Sequence, residues 1–145
     1  MEGTKTIAEL EEEIVEEFAL FDNWEDKYEY IIDMGKKLPT LEDVYKTEAN
    51  RIQGCQSTVW MSSALRDGRV EYMADSDAVI VKGLISMLIR VLGGQHPVDI
   101  VSAELGFIDR IGMGAHLAQT RSNGLKAMVR QMKLDAAAWD LKRKG

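Results

Sequence analysis

The segment from Val79 to Leu92 constrains this chain more than any other. Val79, Ile80, Val81, Leu84, Ile85, Met87, Leu88, Ile89, Val91 and Leu92 leave a helix there almost no polar face. Such a helix is stable only when other elements surround it. The apolar stretch 78–92 contains Lys82 and Arg90 and is short for a bilayer span, so the cover must be protein. Gly93-Gly94 ends the helix. Asp75-Ser76-Asp77 opens it: Asp75 or Ser76 is expected to cap it, with Asp77 favouring its positive end.

The rest of the chain reads as that cover. Ile7, Leu10, Ile14, Phe18 and Phe21 recur at spacings of three and four, which predicts a helix over about 6–20. Asp22 and Asn23 break the pattern as cap residues. A second helix carries Trp24, Tyr28, Ile31, Gly35 and Leu38 until Pro39 stops it. Residues 40–54 are polar and aperiodic, a long loop of the kind that is usually functional. Residues 58–66 alternate, Asp67-Gly68 is a tight-turn signal, and 69–74 return as a second strand. A lone hairpin needs more cover, and the stretch around Arg51 and Ile52 is the candidate third strand. Short helices are expected near 97–103 and 107–111. A last amphipathic helix starts at Ser122 or Asn123 and carries Leu125, Met128, Met132, Ala136 and Trp139. The expectation is one α+β domain over 1–145, a small antiparallel sheet of about three strands covered by helices.

Composition excludes several classes. A chain of 145 residues, 46% hydrophobic with two prolines, is ordered and fits one domain. Its net charge of −6 hides an asymmetry: residues 1–33 carry −10 and residues 34–145 carry +4. The plain reading is solvated helix faces; the sharper one is docking to charged protein partners. No dense basic stripe with interleaved aromatics suggests nucleic acid, and Lys142-Arg143-Lys144 is only a short basic tail. One cysteine with His96 and His116 offers no zinc spacing. Gly93-Gly94 and Gly112-Met113-Gly114 lack the context of a phosphate loop. The N-terminus has no secretory layout, so a cytoplasmic, reducing location is expected.

That location lets a free thiol persist, and Cys55 is the single one. It follows Gln53 and Gly54 and precedes Gln56 and Ser57, a polar loop tip just before a strand. One sulfur cannot make an internal disulfide or resolve one. It can attack another sulfur, take it and pass it on. Nearby positive charge raises the thiolate fraction, and Arg51 and Arg121 are candidate helpers. A Cys55–His116 hydrolase is a rival, though the local protease signatures are missing. His96, next to Pro97, reads as a turn or surface residue, and Trp60 as packing.

Four separated blocks resemble the SufE family of sulfur acceptors. They are Asn23-Trp24-Glu25-Asp26-Lys27-Tyr28 with the following helix to Pro39, Ile52-Gln53-Gly54-Cys55-Gln56-Ser57-Thr58-Val59-Trp60, the run from Asp75 to Leu84, and the run from His116 to Leu125. The similarity spans roughly residues 20–132 in the same order. The resemblance implies a partner cysteine desulfurase of the SufS type, which owns the pyridoxal phosphate; no cofactor is expected on this chain. It implies that Cys55 receives sulfane sulfur as a persulfide, stimulates the desulfurase and delivers sulfur to a SufBCD-type scaffold that builds iron–sulfur clusters. That makes the chain a stoichiometric carrier rather than an enzyme. By the same resemblance Gly54 and Gln56 shape the cysteine loop, while Asp77, His116 and Arg121 belong to loop dynamics or partner contact. Ala118-Gln119-Thr120 stands where the family often has a proline before the arginine, and the acidic stretch 9–17 is heavier than the family pattern. Two further readings stay open: a CsdE-like branch that feeds tRNA modification, and an allosteric desulfurase-binding module that carries no sulfur.

Overall fold

The computed structural model describes residues 5–54, 57–113 and 119–144, with side chains throughout except at 119–123, 143 and 144. The elements are α1 (Ile7–Phe18), α2 (Trp24–Lys36), a 3-10 turn (Asp43–Tyr45), β1 (Val59–Arg66), β2 (Arg69–Ser76), α3 (Val79–Leu92), α4 (Pro97–Ser102), α5 (Phe107–Arg110) and α6 (Gln119–Lys144). The class is α+β, as the patterning predicts.

The apolar helix α3 lies at the centre. Leu84, Ile85, Leu88, Val91 and Leu92 are at most 1% exposed, which only contact on several sides produces. Its tightest neighbour is α2, and glycine permits that approach. A Cβ on Gly83 would lie 2.1 Å from the Ile31 carbonyl oxygen, and one on Gly35 would lie 2.6 Å from the Gly83 nitrogen. Each helix therefore presents its backbone where the other has no side chain.

Local chemistry sets the helix starts. Thr6 and Glu9 form a reciprocal capping box at α1, with bonds of 3.1 and 2.9 Å. The Asn23 side chain accepts from Asp26 N at 2.8 Å and starts α2. The expected cap of α3 is different. β2 runs on through Ser76, and α3 begins at Val79 behind Ala78, which has no side-chain cap of its own. Ser76 Oγ accepts from Ala78 N at 3.2 Å, while Asp75 turns inward. The strand holds Asp75 because its carboxylate has better partners inside than a helix end offers.

β1 and β2 pair antiparallel from Val59↔Ser76 to Arg66↔Arg69. Asp67 and Gly68 join them with φ of 54° and 77°, the two left-handed residues that a type I′ turn demands. Among the described residues the sheet has two full strands; where the third is expected, Arg51 makes a single bridge to Trp60, and Gln95 makes another to Val70 on the other edge. The stretch 50–52 is thus strand-like for one pair only, because the chain must leave at once for the cysteine loop.

The long helix α6 covers the sheet. Met132 and Ala136 are fully buried, Tyr72 Oη donates to the Met132 carbonyl at 2.7 Å, and Trp139 Nε1 donates to Ser63 Oγ at 2.9 Å. Burial pushes the Tyr72 hydroxyl pKa well up, with the Asp135 charge adding to it. The helical backbone begins at Gln119, three residues before Ser122. No described helix is long and apolar enough to cross a membrane.

Candidate functional site: the anchored cysteine loop

The residues that flank Cys55 are held at both roots. On the N-terminal side, Ile52 N donates to Val59 O at 2.8 Å and Met61 N donates to Asn50 O at 2.8 Å. Asn50 is itself fixed, its Nδ2 donating to Tyr45 O at 2.8 Å. The chain leaves this bridge at Ile52 and is back on the same strand at Val59. Gly54 has φ of 90°, a backbone that side-chain-bearing residues rarely adopt. A Cβ there would meet Ala127 Cβ of α6 at 3.5 Å, which is ordinary contact, so conformation rather than space requires the glycine.

The C-terminal root is a clasp. Thr58 N donates to Asp77 Oδ1 at 3.1 Å, Asp77 N donates to Thr58 O at 3.3 Å, and Ser76 Oγ donates to the same carbonyl at 2.8 Å. Asp77 is exposed. Behind the clasp lies Asp75, 6% exposed. It accepts from Ser76 N at 2.8 Å, it faces Lys82 Nζ at 3.6 Å and Lys46 Nζ at 3.5 Å, and the Leu41 amide lies nearby. Burial pushes its pKa up, but the two amides and two ammonium groups together hold it below the ordinary aspartate value. Lys46 also sits 5.4 Å over the Trp60 ring. One buried carboxylate thereby ties the 40–46 segment and α3 to the strand that holds the clasp.

Of the residues singled out in the sequence, the structure brings Gly54, Asp77 and the Arg51 bridge to the two roots of one loop. Cys55, Gln56 and His116 lie outside the described residues. Arg121 lies in the first turns of α6, the helix whose Ala127 a side chain at position 54 would meet, and its own side chain is outside the described ones. Arg51 is half exposed and only 4.0 Å from Glu48, a weak tie. His96 is an exposed residue at the start of α4, its Nδ1 3.2 Å from Gly68 O, which agrees with a turn role. Trp60 is partly buried, as packing predicts. No group of His, Cys, Asp or Glu able to hold a metal occurs among the described residues. Sequence reasoning missed the Lys46–Asp75–Lys82 cluster. The only signal was two acids closely spaced before an apolar helix, and that pattern reads equally well as a cap.

A short antiparallel hairpin covered by helices, with anchored residues on either side of position 55, defines a small α+β domain. A solution structure of a hypothetical protein from Thermus thermophilus has this fold, with a TM-score of 0.74 at 19% identity, covering 89% of this chain and 94% of that one. An uncharacterised SufE-like protein of Rhizobium meliloti (strain 1021) is 35% identical over 130 residues, 86% of this chain and 93% of the relative. The SufE family, an Fe–S metabolism associated domain, matches residues 12–136. The chain belongs to the SufE family, and the match reaches further at both ends than the four motif blocks do.

Proposed function

We propose that this chain accepts sulfane sulfur from a SufS-type cysteine desulfurase on Cys55, carries it as a persulfide, and hands it to a SufBCD-type iron–sulfur scaffold. Family membership supports the pathway. The observation that carries the proposal is the loop: its roots are fixed to β1 and to Ser76–Asp77, and the lone cysteine lies between them. The Cys55 thiolate attacks the outer sulfur of the partner's persulfide. A new S–S bond forms at Cys55, the partner's S–S bond breaks, and the partner's cysteine leaves as a thiolate. No electrons are gained or lost overall. The pyridoxal phosphate that removes sulfur from L-cysteine belongs to the partner. The chain acts as a stoichiometric carrier in the cytoplasm, with Gly54 and Gln56 shaping the loop, and Asp77, His116 and Arg121 serving partner docking and loop position.

The test is intact-mass spectrometry after incubation with a cysteine desulfurase and L-cysteine. The expected gain is one sulfur, about 32 mass units, reversed by a thiol reductant as disulfide exchange requires. Cys55→Ser must show no gain and must lose stimulation of the desulfurase. Full stimulation by Cys55→Ser would replace the carrier reading with an allosteric one.

A further inference from the structure

Lys46 stands between the two stretches that flank Cys55 in the chain. Its Nζ lies 3.5 Å from Asp75 Oδ2 and 5.4 Å from the centre of the Trp60 ring. Trp60 and Asp75 are directly opposed across the hairpin, so their side chains leave the same face of the sheet. Each belongs to a different root. Trp60 bridges Arg51, and beside that bridge Ile52 N donates to Val59 O and Met61 N donates to Asn50 O, both at 2.8 Å. Asp75 accepts from Ser76 N at 2.8 Å, and Ser76 with Asp77 holds Thr58. One ammonium group thereby touches a residue of each root.

The backbone that carries Lys46 is fixed independently. Lys46 N donates to Asp43 O at 2.9 Å in the 3-10 turn, and the neighbouring Tyr45 O accepts from Asn50 Nδ2 at 2.8 Å. The Lys46 side chain is 27% exposed. The Asp43 carboxylate, 3.8 Å away, is almost wholly in solvent and competes weakly for it. Lys82 supplies the contrast. It faces the same Asp75 carboxylate at 3.6 Å and is 29% exposed, but it comes from α3, and of the two lysines Lys46 alone sits over the Trp60 ring. Cys55 is three residues from Ile52 and three from Thr58. Three residues span at most about 10 Å, so holding both amides bounds where the thiol can be presented.

We infer that Lys46 is a positioning residue for sulfur transfer, fixing both flanks of Cys55 through Trp60 and Asp75. The inference rests on the reading of Cys55 as the sulfur acceptor. A nucleophile on a short tether attacks only when the ends of the tether put it in line with the partner's persulfide. Freeing the flanks therefore slows transfer without removing the thiol. Lys46 acts through its two neighbours, not on the sulfur.

The test joins hydrogen exchange of the Ile52 and Thr58 amides in the free protein to the rate of sulfur uptake by Cys55 at saturating desulfurase and L-cysteine. Lys46→Met keeps the stem and removes the charge; it leaves Asp75 with Lys82 and the Ser76 amide, so the chain folds. It is expected to speed exchange at both amides and to slow uptake, each about fivefold, which is about 1 kcal/mol. The desulfurase concentration that gives half the maximal rate should not change. Lys46→Arg keeps a cation that stacks on Trp60 and pairs with Asp75, and is expected to restore both readouts. Lys82→Met removes a comparable pair from the same carboxylate and is expected to leave Ile52 exchange at the native rate. The proposal is overturned if Lys46→Met leaves either amide unchanged, if exchange quickens while uptake does not slow, if Lys46→Arg behaves as Lys46→Met does, or if Lys82→Met matches Lys46→Met at both amides. A native chain that takes up no sulfur would refute the acceptor reading instead, and the exchange rates would still decide whether Lys46 holds the two flanks.

Discussion

Replacing Asp75 with alanine tests the link between the buried carboxylate and the cysteine loop. The substitution leaves the Ser76 amide without its acceptor. An unsatisfied donor costs about 1 kcal/mol. Lys46 and Lys82 lose partners at 3.5 and 3.6 Å, but their side chains are 27% and 29% exposed and can turn to water. Each of those pairs contributes only about 0.5 kcal/mol. The sum is about 2 kcal/mol, which for a chain of this length lowers Tm by about 6 °C. The measurement is urea unfolding of both proteins across pH. The native Asp75 pKa lies below its unfolded value of 3.8. Its contribution is therefore fully present above the unfolded pKa and is lost as pH falls through the folded one. The stability gap should stay constant from neutral pH to about 4 and close below that. A gap under about 1 kcal/mol at neutral pH would refute the reasoning, since that is what a surface aspartate gives. So would a gap that persists undiminished in acid.

Two further outcomes follow from the same geometry. Asp77→Ala removes the acceptor of the Thr58 amide and should speed hydrogen exchange at Thr58 about fivefold, a bond of about 1 kcal/mol, with little change in Tm; unaltered exchange would mean that the clasp does not hold the loop. Gly83→Ala places a methyl 2.1 Å from the Ile31 carbonyl oxygen, and the helices must part. A loss of about 2 kcal/mol is expected in denaturant unfolding even after the gain of about 1 kcal/mol in helix propensity, whereas a stabilised variant would contradict the close contact of α2 and α3.

The elements that were legible in the sequence are those whose signals are local. The apolar spacing of 7–21, Asn23 before Trp24, and Asp67-Gly68 between alternating runs each act within a few residues, and each lies where the pattern puts it. The α3 segment was legible because its apolar content allows only one environment. Asp75 was not, because Asp-Ser-Asp before a helix describes a cap and a buried hub equally well. What decides is Lys46 and the Leu41 amide, more than twenty-five residues upstream and brought near only by the fold. The third strand failed for a related reason. Arg51 does pair with Trp60, but a strand needs successive pairs, and the chain turns away into the loop after one. Of the candidate site, the motif marked the loop and Asp77 as special, while the bonds by which Asp77 holds Thr58 are visible only in three dimensions.

The same distinction changes the meaning of the acidic N-terminal segment. In sequence its charge of −10 invites a docking role. In the fold, Arg90 of α3 forks onto Glu17 and reaches Glu13 at 3.4 Å, and Tyr30 donates to Glu17 as well. Arg110 of α5 forks onto Glu12 at 2.9 and 3.1 Å, and the Phe107 amide donates to Glu11 at 3.2 Å. The Arg90 hydrogen bonds hold the Glu17 pKa below the ordinary glutamate value against the opposing effect of burial, and the Arg110 fork does the same for Glu12. Helix α1 is therefore acidic because two arginines from the later part of the chain dock on it. That explains why the charge asymmetry runs between the two parts of the sequence: the positive surplus after residue 33 includes the partners of the negative surplus before it. Arg90 and Arg110 thereby neutralise two of the ten surplus charges that a docking reading counts. A partner that reads charge on this protein must then find it away from the α1 face that meets α3 and α5.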